Sequence, residues 1–346
     1  MTKILVYHVR DDEQPLIDEW SKEHAIQVDS VPDELHADTV SWAKGYDGVV
    51  YKQRSVLSKD VQFYEQLRAL GIKQLACRSA GIDSVNLEWA QQNGITVTNV
   101  PSYSPTAVAE LVLAQTLQLV RQLPQFESRI NENNYCVNGL RARELSELTI
   151  GIIGGVGRIG GTVAKIFHAL GATVLGNDIA QPRAELEGIL RYTTKEELLR
   201  QADIVTVHVY YNSQNQHLIS EEQFALMKNS AYFINDSRGP VVDTEDLLRA
   251  LKNEQIAACA LDVVEGETQI FNLKFAQETP VANYNELKKL PNVLLTPPHI
   301  GFFTDIAVEN MVKQALDDAL TIIMGHTSAH EINFKKVAAS KNGRNT

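Results

Sequence analysis

The chain has 346 residues, of which 44% are hydrophobic, and it carries a formal net charge of −11. This length predicts roughly two domains, since domains usually run to about 100–200 residues. The acidic balance argues against nucleic acid or an anionic membrane surface as a partner, because both carry negative charge. A small anionic substrate is still compatible with it, because a local site can be positive on an acidic protein.

Cysteine usage and the apolar runs narrow the class of protein further. The three cysteines are odd in number and widely spaced, so we expect neither a disulfide framework nor a metal site. The apolar run at the N-terminus is too short for a signal peptide, and no stretch approaches ~18 consecutive apolar residues. We therefore expect a soluble cytoplasmic protein without a membrane partner.

Short runs rich in β-branched residues recur along the chain, and most are followed by a segment with helical periodicity. The runs are Ile4–Val9, Gly48–Tyr51, Lys73–Cys77, Ile95–Val100, Thr149–Ile153, Ala172–Asn177, Ile204–Val209, Ala231–Asn235, Ile256–Leu261 and Val293–Thr296. The helical segments include Leu57–Leu70, Ile159–Leu170, Lys195–Gln201, Glu221–Lys228 and Thr244–Asn253. Strands that alternate with helices predict parallel sheets in two doubly wound α/β domains.

The segment Ser104–Leu123 is predicted to form one long helix. Ser104 suits the N-cap, and Pro105 suits the first helical position. Its apolar residues cover more than one side, which is typical of a helix buried on several faces. We interpret it as the crossing between domains and as part of a homodimer interface. A helix buried within one subunit remains the alternative.

A glycine-rich segment follows the run Thr149–Ile153. Gly155, Gly157 and Gly160 have the G-x-G-x-x-G spacing of a loop that binds a dinucleotide. The first glycine permits a tight turn, the second lets the backbone approach a pyrophosphate, and the third lets helix and strand pack closely. The N-terminus of the following helix offers N–H groups to the phosphates. A glycine-rich turn without a ligand is the alternative.

Asp178 ends the next predicted strand, 18 residues after Gly160, close to the ~20 expected for the acidic partner of such a loop. A carboxylate there can accept hydrogen bonds from the ribose hydroxyls and would repel a 2′-phosphate. NAD is therefore expected rather than NADP. Arg183 could instead serve a 2′-phosphate, although an exposed arginine at a helix start is the simpler interpretation.

Charged side chains follow three later strands. Arg238 comes after Ala231–Asn235, and His299 comes after Val293–Thr296. Acidic residues, Asp262 and Glu267 among them, follow Ile256–Leu261. Ligands of open α/β sheets bind beyond the carboxyl ends of the strands, so these side chains could converge on one site.

At this point the sequence resembles the D-isomer-specific 2-hydroxyacid dehydrogenases, over roughly residues 1–335, and most closely their D-lactate and D-2-hydroxyisocaproate branch. The stretches that carry the resemblance are Arg78 to Asp83, Asn99 to Pro105, Ser237-Arg238-Gly239, Asp262 to Glu267 and Pro298-His299. The resemblance implies a Rossmann-type NAD-binding domain, a flavodoxin-like substrate domain and an active site in the cleft between them. The expected ranges are 1–101 with 300–335 for the substrate domain, 102–299 for the NAD domain, and 336–346 for a polar tail.

The resemblance also implies roles for individual residues. Arg238 would bind the substrate carboxylate and carbonyl, because its planar fork suits a 2-keto acid. His299 would donate a proton to the carbonyl oxygen, and Glu267 would favour the protonated histidine. The expected cofactor contacts are Gly155, Val156, Gly157, Arg158, Ile159, Gly160, Asp178, His208 and Asp262. The expected substrate contacts are Ala80, Gly81, Tyr103, Phe302 and Phe303.

Four departures from the family pattern stand out. The run from Gly151 to Gly160 is one residue longer than usual, and Tyr210 replaces the usual proline after His208-Val209. Pro297-Pro298 doubles a single proline, and Phe303 stands where tyrosine is common. These differences affect the expected phosphate contacts, the loop on the adenine side and the polarity of the pocket wall.

The expected function is the reduction of pyruvate to D-lactate by NADH. A D-2-hydroxyisocaproate-type enzyme for bulkier 2-keto acids is the alternative within the family. Formate dehydrogenase is a further relative, but it carries glutamine where Glu267 stands. A dinucleotide-sensing binding protein is the alternative from another class, and measurable turnover of pyruvate with NADH would argue against it.

Overall fold

The structure is a computed structural model, and it describes residues 2–52, 57–58 and 60–332. It divides into two compact units, the first spanning Met1–Ser104 with Thr304–Thr346 and the second spanning Pro105–Phe303. The sequence analysis placed the two domain boundaries after residues 101 and 299. In the structure they lie after Ser104 and Phe303, three and four residues later. The expected polar tail at 336–346 lies outside the described residues.

The first unit contains a five-stranded parallel sheet with the strand order β2-β1-β3-β4-β5. Its strands are β1 (Lys3–Tyr7), β2 (Gln27–Val31), β3 (Gly48–Tyr51), β4 (Gln74–Cys77) and β5 (Thr96–Thr98). Its helices are α1 (Gln14–His24), α2 (Gln62–Ala69), α3 (Leu87–Gln92) and, last in the chain, α11 (Asp305–Ile323). This strand order is the flavodoxin-like one, with the first strand next to the third.

The sheet of the first unit is covered on both faces, which explains its apolar strands. All four residues of β3 and all four of β4 are buried. The C-terminal helix α11 lies against these strands so closely that a Cβ at Gly48 would come within 2.6 Å of the Cδ1 atom of Ile323. Thr304 caps this helix by accepting a hydrogen bond from the N–H of Ala307.

The second unit contains a seven-stranded parallel sheet with the order β12-β11-β10-β9-β6-β7-β8. Its strands are β6 (Thr149–Ile153), β7 (Thr173–Asn177), β8 (Arg191–Tyr192), β9 (Ile204–Val207), β10 (Tyr232–Asn235), β11 (Ala258–Leu261) and β12 (Val293–Leu295). Its helices are α4 (Pro105–Val120), α5 (Leu123–Asn131), α6 (Arg158–Ala169), α7 (Lys195–Gln201), α8 (Glu221–Leu226), α9 (Thr244–Lys252) and α10 (Ala282–Lys288). The order reverses at β6, and the carboxyl end of such a switch strand is where a dinucleotide binds.

The expected fold class, two doubly wound parallel sheets, is confirmed. The sequence analysis was wrong at several boundaries. The long helix ends at Val120 rather than Leu123, because Gln122 takes a left-handed conformation with φ of 53° and a new helix starts at Leu123. The helix expected from Leu57 begins only at Gln62. Among the described residues, no helix has both the length and the apolar character needed to cross a membrane.

Candidate active site

The three strands β10, β11 and β12 end side by side at one edge of the second unit's sheet. Asn235 pairs with Leu261, and Leu261 pairs with Leu295, so the three strands end in register. The loops that leave this edge carry Arg238, Glu267 and His299. The sequence analysis expected side chains of these loops to meet.

His299 and Glu267 form a close pair within this unit. The Nε2 atom of His299 lies 3.2 Å from the Oε1 atom of Glu267, whose side chain is only 6% exposed. The other oxygen of Glu267 accepts a short hydrogen bond from the backbone N–H of Val264. Gly266, with φ of 83°, makes the turn that places Glu267 at the start of a 3₁₀ helix. The carboxylate is thus oriented by the backbone before it meets the imidazole.

Asp262 anchors the turn that carries His299. Its carboxylate accepts hydrogen bonds from the Thr296 hydroxyl at 2.7 Å, the Ile300 N–H at 3.0 Å and the Gly301 N–H at 3.2 Å. Its backbone carbonyl accepts from the N–H of His299 at 2.9 Å. Because His299 has a left-handed backbone with φ of 60°, the turn depends on such surrounding contacts.

Arg238 is carried by a loop that its neighbours hold firmly. The side-chain amide of Asn235 donates to the carbonyl oxygen of Arg238 at 3.1 Å, and the Ser237 hydroxyl donates to the carbonyl oxygen of Val209 at 2.6 Å. Gly239 lies against the backbone of Val264, where a Cβ would collide. The side chain of Arg238 is partly exposed, and its Nη1 atom donates to the carbonyl oxygen of Ser237 at 2.8 Å.

Aromatic side chains stand close to the imidazole. The ring of Phe271 meets the ring of His299 edge-on, with centroids 5.6 Å apart. Phe302 and Phe303, two of the expected substrate contacts, follow His299 and meet each other edge-on at 5.9 Å. An apolar surround of this kind suits the hydrocarbon part of a small organic acid.

The glycine loop lies between β6 and α6 as the sequence predicts, but the tight turn is made by Gly154. This residue has φ of 87°, and a Cβ on it would collide with the carbonyl oxygen of His208. A Cβ on Gly160 would collide with the carbonyl oxygen of Gly154, so the helix approaches the turn closely. Gly157 caps α6, and the N-terminus of α6, which begins at Arg158, points its first N–H groups toward the loop, as at any helix start. Gly154 was not among the expected cofactor contacts.

Asp178 lies beside this loop, as its spacing predicts. Its carboxylate accepts hydrogen bonds from the N–H of Val156 and the N–H of Ala180, both at 2.9 Å. Arg183 donates from Nη1 to the carbonyl oxygen of Val156 at 2.9 Å, and its other guanidinium nitrogen pairs with Glu185. Arg183 is therefore part of the loop's support rather than an isolated surface residue.

His208 provides an independent test of whether the loop suits a ligand. Burial lowers the pKa of His208 to about 3, so its imidazole is neutral. The Nε2 atom lies 2.9 Å from the hydroxyl oxygen of Thr206, whereas the buried Nδ1 atom has no hydrogen-bond partner within the described part of the chain. An unpaired buried nitrogen beside a glycine turn and a helix N-terminus fits a polar ligand such as a dinucleotide.

In the first unit, two side chains fix the carbonyl groups of the loop after β4. The Asn99 amide donates to the carbonyl oxygen of Ala80, and the Ser79 hydroxyl donates to that of Gly81, both at 2.7 Å. In a trans peptide the N–H points away from the preceding carbonyl, so the N–H of Gly81 is turned away from Asn99. Tyr103, also in this unit, accepts a hydrogen bond from Asn310 at its backbone carbonyl, at 2.7 Å.

The sequence analysis did not anticipate two charged clusters, around Arg78 and around His217, or two further buried polar residues. Arg78, fully buried, lies 2.6 Å from Glu13, which is also fully buried. His217 lies between two carboxylates, 2.8 Å from Glu265 and 3.2 Å from Asp243. The other two groups are the buried Asp236 and Gln115. Their partners are distant in sequence or separated by whole elements, so no local pattern signals them. Within residues 2–52, 57–58 and 60–332, no three metal-ligating side chains are grouped to hold an ion.

Comparisons with known proteins agree with this architecture. Residues 113–301 match the model of the D-isomer specific 2-hydroxyacid dehydrogenase family, NAD binding domain. A D-2-hydroxyacid dehydrogenase (NAD(+)) of Clostridioides difficile is 38% identical over 96% of this chain and 100% of its own length. A solved structure of a D-lactate dehydrogenase from a Sporolactobacillus species is 51% identical, with a TM-score of 0.82, over 96% of this chain and 99% of the other.

A second solved structure, a D-2-hydroxyisocaproate dehydrogenase, is 33% identical with a TM-score of 0.87, over 96% of this chain and 99% of the other. The relative and the two solved structures are similar over nearly the full length of both chains, so the resemblance stated from the motifs is confirmed. The chain belongs to the D-isomer-specific 2-hydroxyacid dehydrogenases, a family of NAD-dependent oxidoreductases.

Proposed function

We propose that this enzyme reduces pyruvate to D-lactate with NADH, and that Arg238, Glu267 and His299 are the groups that perform the reaction. The observation that carries the proposal is the pairing of His299 with Glu267 at 3.2 Å, on an edge of the sheet where Arg238 also emerges. A carboxylate at this distance stabilises the imidazolium, which is the form that can donate a proton.

Each group has a separate chemical task in this proposal. NADH supplies the hydride that reduces the carbonyl carbon when it is bound. His299 donates a proton from its imidazolium to the carbonyl oxygen, and Glu267 compensates the charge of the imidazolium before the transfer. Arg238 binds the substrate carboxylate through two N–H groups and polarises the carbonyl. We propose Ala80, Gly81, Tyr103, Phe302 and Phe303 as further substrate contacts.

We propose that the glycine loop and its neighbours hold the NAD. The proposed contacts are Gly155, Val156, Gly157, Arg158, Ile159, Gly160, Asp178, His208 and Asp262. The hydrogen bond from Val156 N–H to Asp178 and the unpaired Nδ1 atom of His208 support this assignment, because both place polar groups at the loop. Preference for NAD over NADP follows from the negative charge of Asp178.

A bulkier substrate is the second candidate within the family. Phe271 packs edge-on against His299, and Phe302 and Phe303 pack against each other a few residues further along the chain. Aromatic surface of this kind would suit a branched or aromatic 2-keto acid. A hydrocarbon increment of one methylene is worth only about 1–3 kcal/mol in such a pocket, so the preference is a quantitative one. The test is kcat/KM with NADH for pyruvate, 2-ketoisocaproate, phenylpyruvate and oxaloacetate.

The same assay separates the remaining alternatives. Oxidation of D-lactate but not L-lactate by NAD would support the stereochemistry, and hydride release from formate would instead point to a formate dehydrogenase. A chain that binds NADH tightly but turns over none of the four keto acids would contradict the enzymatic proposal and favour a dinucleotide sensor. His299→Asn is the matched control, since it removes the proton donor and should abolish the turnover.

We also propose a homodimer in the cytoplasm. The helix α5 and the segment after it expose apolar side chains, namely Leu123, Ile130, Tyr135 and Val137, which are between 43% and 80% exposed. An apolar surface of this extent is typical of a contact with another protein, and a second copy of the chain would bury the same surface on both sides. Light scattering should report twice the monomer mass, and Ile130→Glu should lower it.

A further inference from the structure

Two buried carboxyl groups follow neighbouring strands of the second unit's sheet. Asn235 of β10 is in register with Leu261 of β11, so the next residues, Asp236 and Asp262, directly follow neighbouring strands. Neighbouring strands are about 4.8 Å apart. Asp236 is 7% exposed and Asp262 is 5% exposed. Both residues are therefore almost completely shielded from solvent.

The hydrogen-bond partners distinguish the two acids. Asp262 accepts from one hydroxyl and two backbone N–H groups, all of which favour its ionised form. Facing the carboxyl of Asp236 is the neutral amide of Gln115, a fully buried residue of α4. With its nitrogen turned toward the acid, this amide lies 3.0 and 3.2 Å from the two oxygens. Burial raises the pKa of both acids. The pKa of Asp236 is raised well above its ordinary value, because burial and the charge of Asp262 outweigh the hydrogen bonds from Gln115 and from the backbone of Asp262.

The strand on the other flank brings no compensating charge. Asn235 is also in register with Val207 of β9, so His208 is the residue that follows there. His208 is neutral at ordinary pH, because burial lowers its pKa to about 3. The charged groups that bear on the pair are therefore its own two carboxyls and, on the side of Asp262, His299.

We propose that Asp236 and Asp262 are a buried acid pair that holds a single proton, on Asp236, at neutral pH. Two carboxylates this close do not both ionise in a buried site, because their repulsion adds to the cost of desolvation. The proton on Asp236 lets Asp262 remain the ionised member and keep the contacts that fix the turn of His299. Asp236 is thus a positioning residue that acts through Asp262.

The inference rests on the proposed role of His299 only where catalysis is measured. The protonation itself is measured without turnover, by infrared spectroscopy, because the C=O stretch of a protonated carboxyl is separate from that of carboxylates. At pH 7 the spectrum of Asp236→Asn should lack one protonated-carboxyl band that the parent has. Asp203→Asn is the matched control, because Asp203 is also 7% exposed but contacts Arg143 and Lys228. Burial opposes ionisation of Asp203, but its hydrogen bonds and the charge of Lys228 lower its pKa, so this variant should lose no such band.

A second variant keeps the inference testable if Asp236→Asn is poorly folded. Asp262→Asn removes the neighbouring charge, so the band of Asp236 should disappear at a lower pH than in the parent. A parent spectrum without such a band, or a band that survives in Asp236→Asn, would overturn the proposal. So would a band whose titration is unaffected by Asp262→Asn.

The positioning role has its own readout in kcat. Asparagine can still donate a hydrogen bond toward Asp262, whereas leucine of similar size cannot. Asp236→Leu should therefore have a kcat roughly tenfold or more below that of Asp236→Asn, the loss typical of a hydrogen bond to a charged group. KM for the keto acid should be similar in the two variants. Equal kcat values would show that Asp236 only fills space, and absence of turnover in the parent would contradict the proposed function but leave the infrared result standing.

Discussion

The Nε2 atom of His299 lies 3.2 Å from the Oε1 atom of Glu267, and the second oxygen of that carboxylate is held by the N–H of Val264. The orientation of Glu267 is thus set by its own loop rather than by the imidazole. A substitution that removes only the charge of Glu267 should leave the turn in place, which makes the pair suitable for a test of protonation.

Glu267→Gln should make reduction of the keto acid fail at a lower pH than in the parent. Reduction consumes the proton of imidazolium, and glutamine no longer stabilises that charged form. We expect kcat/KM for reduction to fall by about tenfold at alkaline pH, the size of loss typical when a charged hydrogen-bond partner is removed, and to fall less at acidic pH. Oxidation of the hydroxy acid, which needs the neutral imidazole, should suffer less at alkaline pH.

The matched control for this experiment is Glu265→Gln. Glu265 is two residues away and contacts His217 rather than His299. The profiles of kcat/KM against pH, measured in both directions, should shift for Glu267→Gln and not for Glu265→Gln. If the alkaline limb of the profile moved only in Glu265→Gln, Glu265 rather than Glu267 would control the pH dependence of the reaction, and the prediction would be contradicted.

Arg238→Lys should lose far more activity than the retained charge suggests. Lysine offers a point charge, whereas the guanidinium offers two parallel N–H groups to a carboxylate. We expect kcat/KM to fall at least about 100-fold, equivalent to roughly 2.7 kcal/mol of transition-state stabilisation. Arg249→Lys, at an arginine whose side chain is 55% exposed on α9, controls for the exchange itself. Activity within a few-fold of the parent would show that Arg238 is not the carboxylate clamp.

The sequence predicts most of the fold because buried parallel strands are apolar along their whole length. Gly48–Tyr51 and Thr149–Ile153 have the predicted bounds. The two strands that sequence reasoning missed are edge strands. β2 (Gln27–Val31) mixes polar and apolar residues that are all only partly buried, and β8 (Arg191–Tyr192) is two residues long. Their positions depend on pairing with a neighbouring strand, which a local pattern does not encode.

The candidate site was predicted residue by residue where a motif exists, and missed where only the tertiary structure brings groups together. Asp178 was singled out by its spacing from the glycine loop, whereas the roles expected of His299 and Glu267 came from the family resemblance of the segments after two strands. Asp236 stood in the same strand-end segment, but its significance depends on Gln115 of α4, more than one hundred residues earlier. The turn at Gly154 was missed because the motif spacing selects Gly155, and only the backbone conformation shows that Gly154 makes the turn.

Asp178→Ser should shift the cofactor preference toward NADPH. The carboxylate would repel a 2′-phosphate, whereas serine removes the charge and leaves a hydroxyl beside the loop. We expect the ratio of kcat/KM for NADPH to that for NADH to rise by roughly tenfold or more, the size of one removed charge repulsion. Glu187→Gln, at an exposed acid in the same region, serves as the control for overall charge. Equal use of NADH and NADPH by the parent would contradict the role of Asp178.

His217 should make the second unit more stable at mildly acidic than at alkaline pH. The hydrogen bond with Glu265, followed by the charges of Glu265 and Asp243, raises the pKa of His217 despite partial burial. A histidine whose pKa is raised in the folded state makes its full contribution to stability below its pKa in the unfolded state, which is ~6.5. That contribution is lost as the pH rises through the pKa of the folded state. The melting-temperature difference between the parent and His217→Gln should therefore shrink from pH 6 to pH 9. His168→Gln, at an exposed histidine of α6, should show no such trend, and a constant difference would contradict the prediction.

The buried pair of Glu13 and Arg78 should govern the acid stability of the first unit. Burial opposes ionisation of Glu13, but the nearby charges of Arg78, Arg10 and Lys52 outweigh it and lower the pKa of Glu13 to about 2. A carboxyl group whose pKa is lowered in the folded state makes its full contribution to stability above its pKa in the unfolded state. That contribution is lost as the pH falls toward the pKa of the folded state. The loss should therefore occur between about pH 4.5 and pH 2.

Glu13→Gln should destabilise the first unit at neutral pH by about 3–5 kcal/mol, because it leaves the fully buried Arg78 without its carboxylate. The three tryptophans of the chain, Trp20, Trp42 and Trp89, all lie in the first unit, so their fluorescence follows its unfolding separately. The difference from the parent should narrow as the pH falls, since the parent then loses the same charge. Asp12→Asn, which removes a carboxylate that is 41% exposed beside Arg10, should cost less than about 1 kcal/mol. Equal losses in the two variants would mean that the buried pair contributes no more than a surface one.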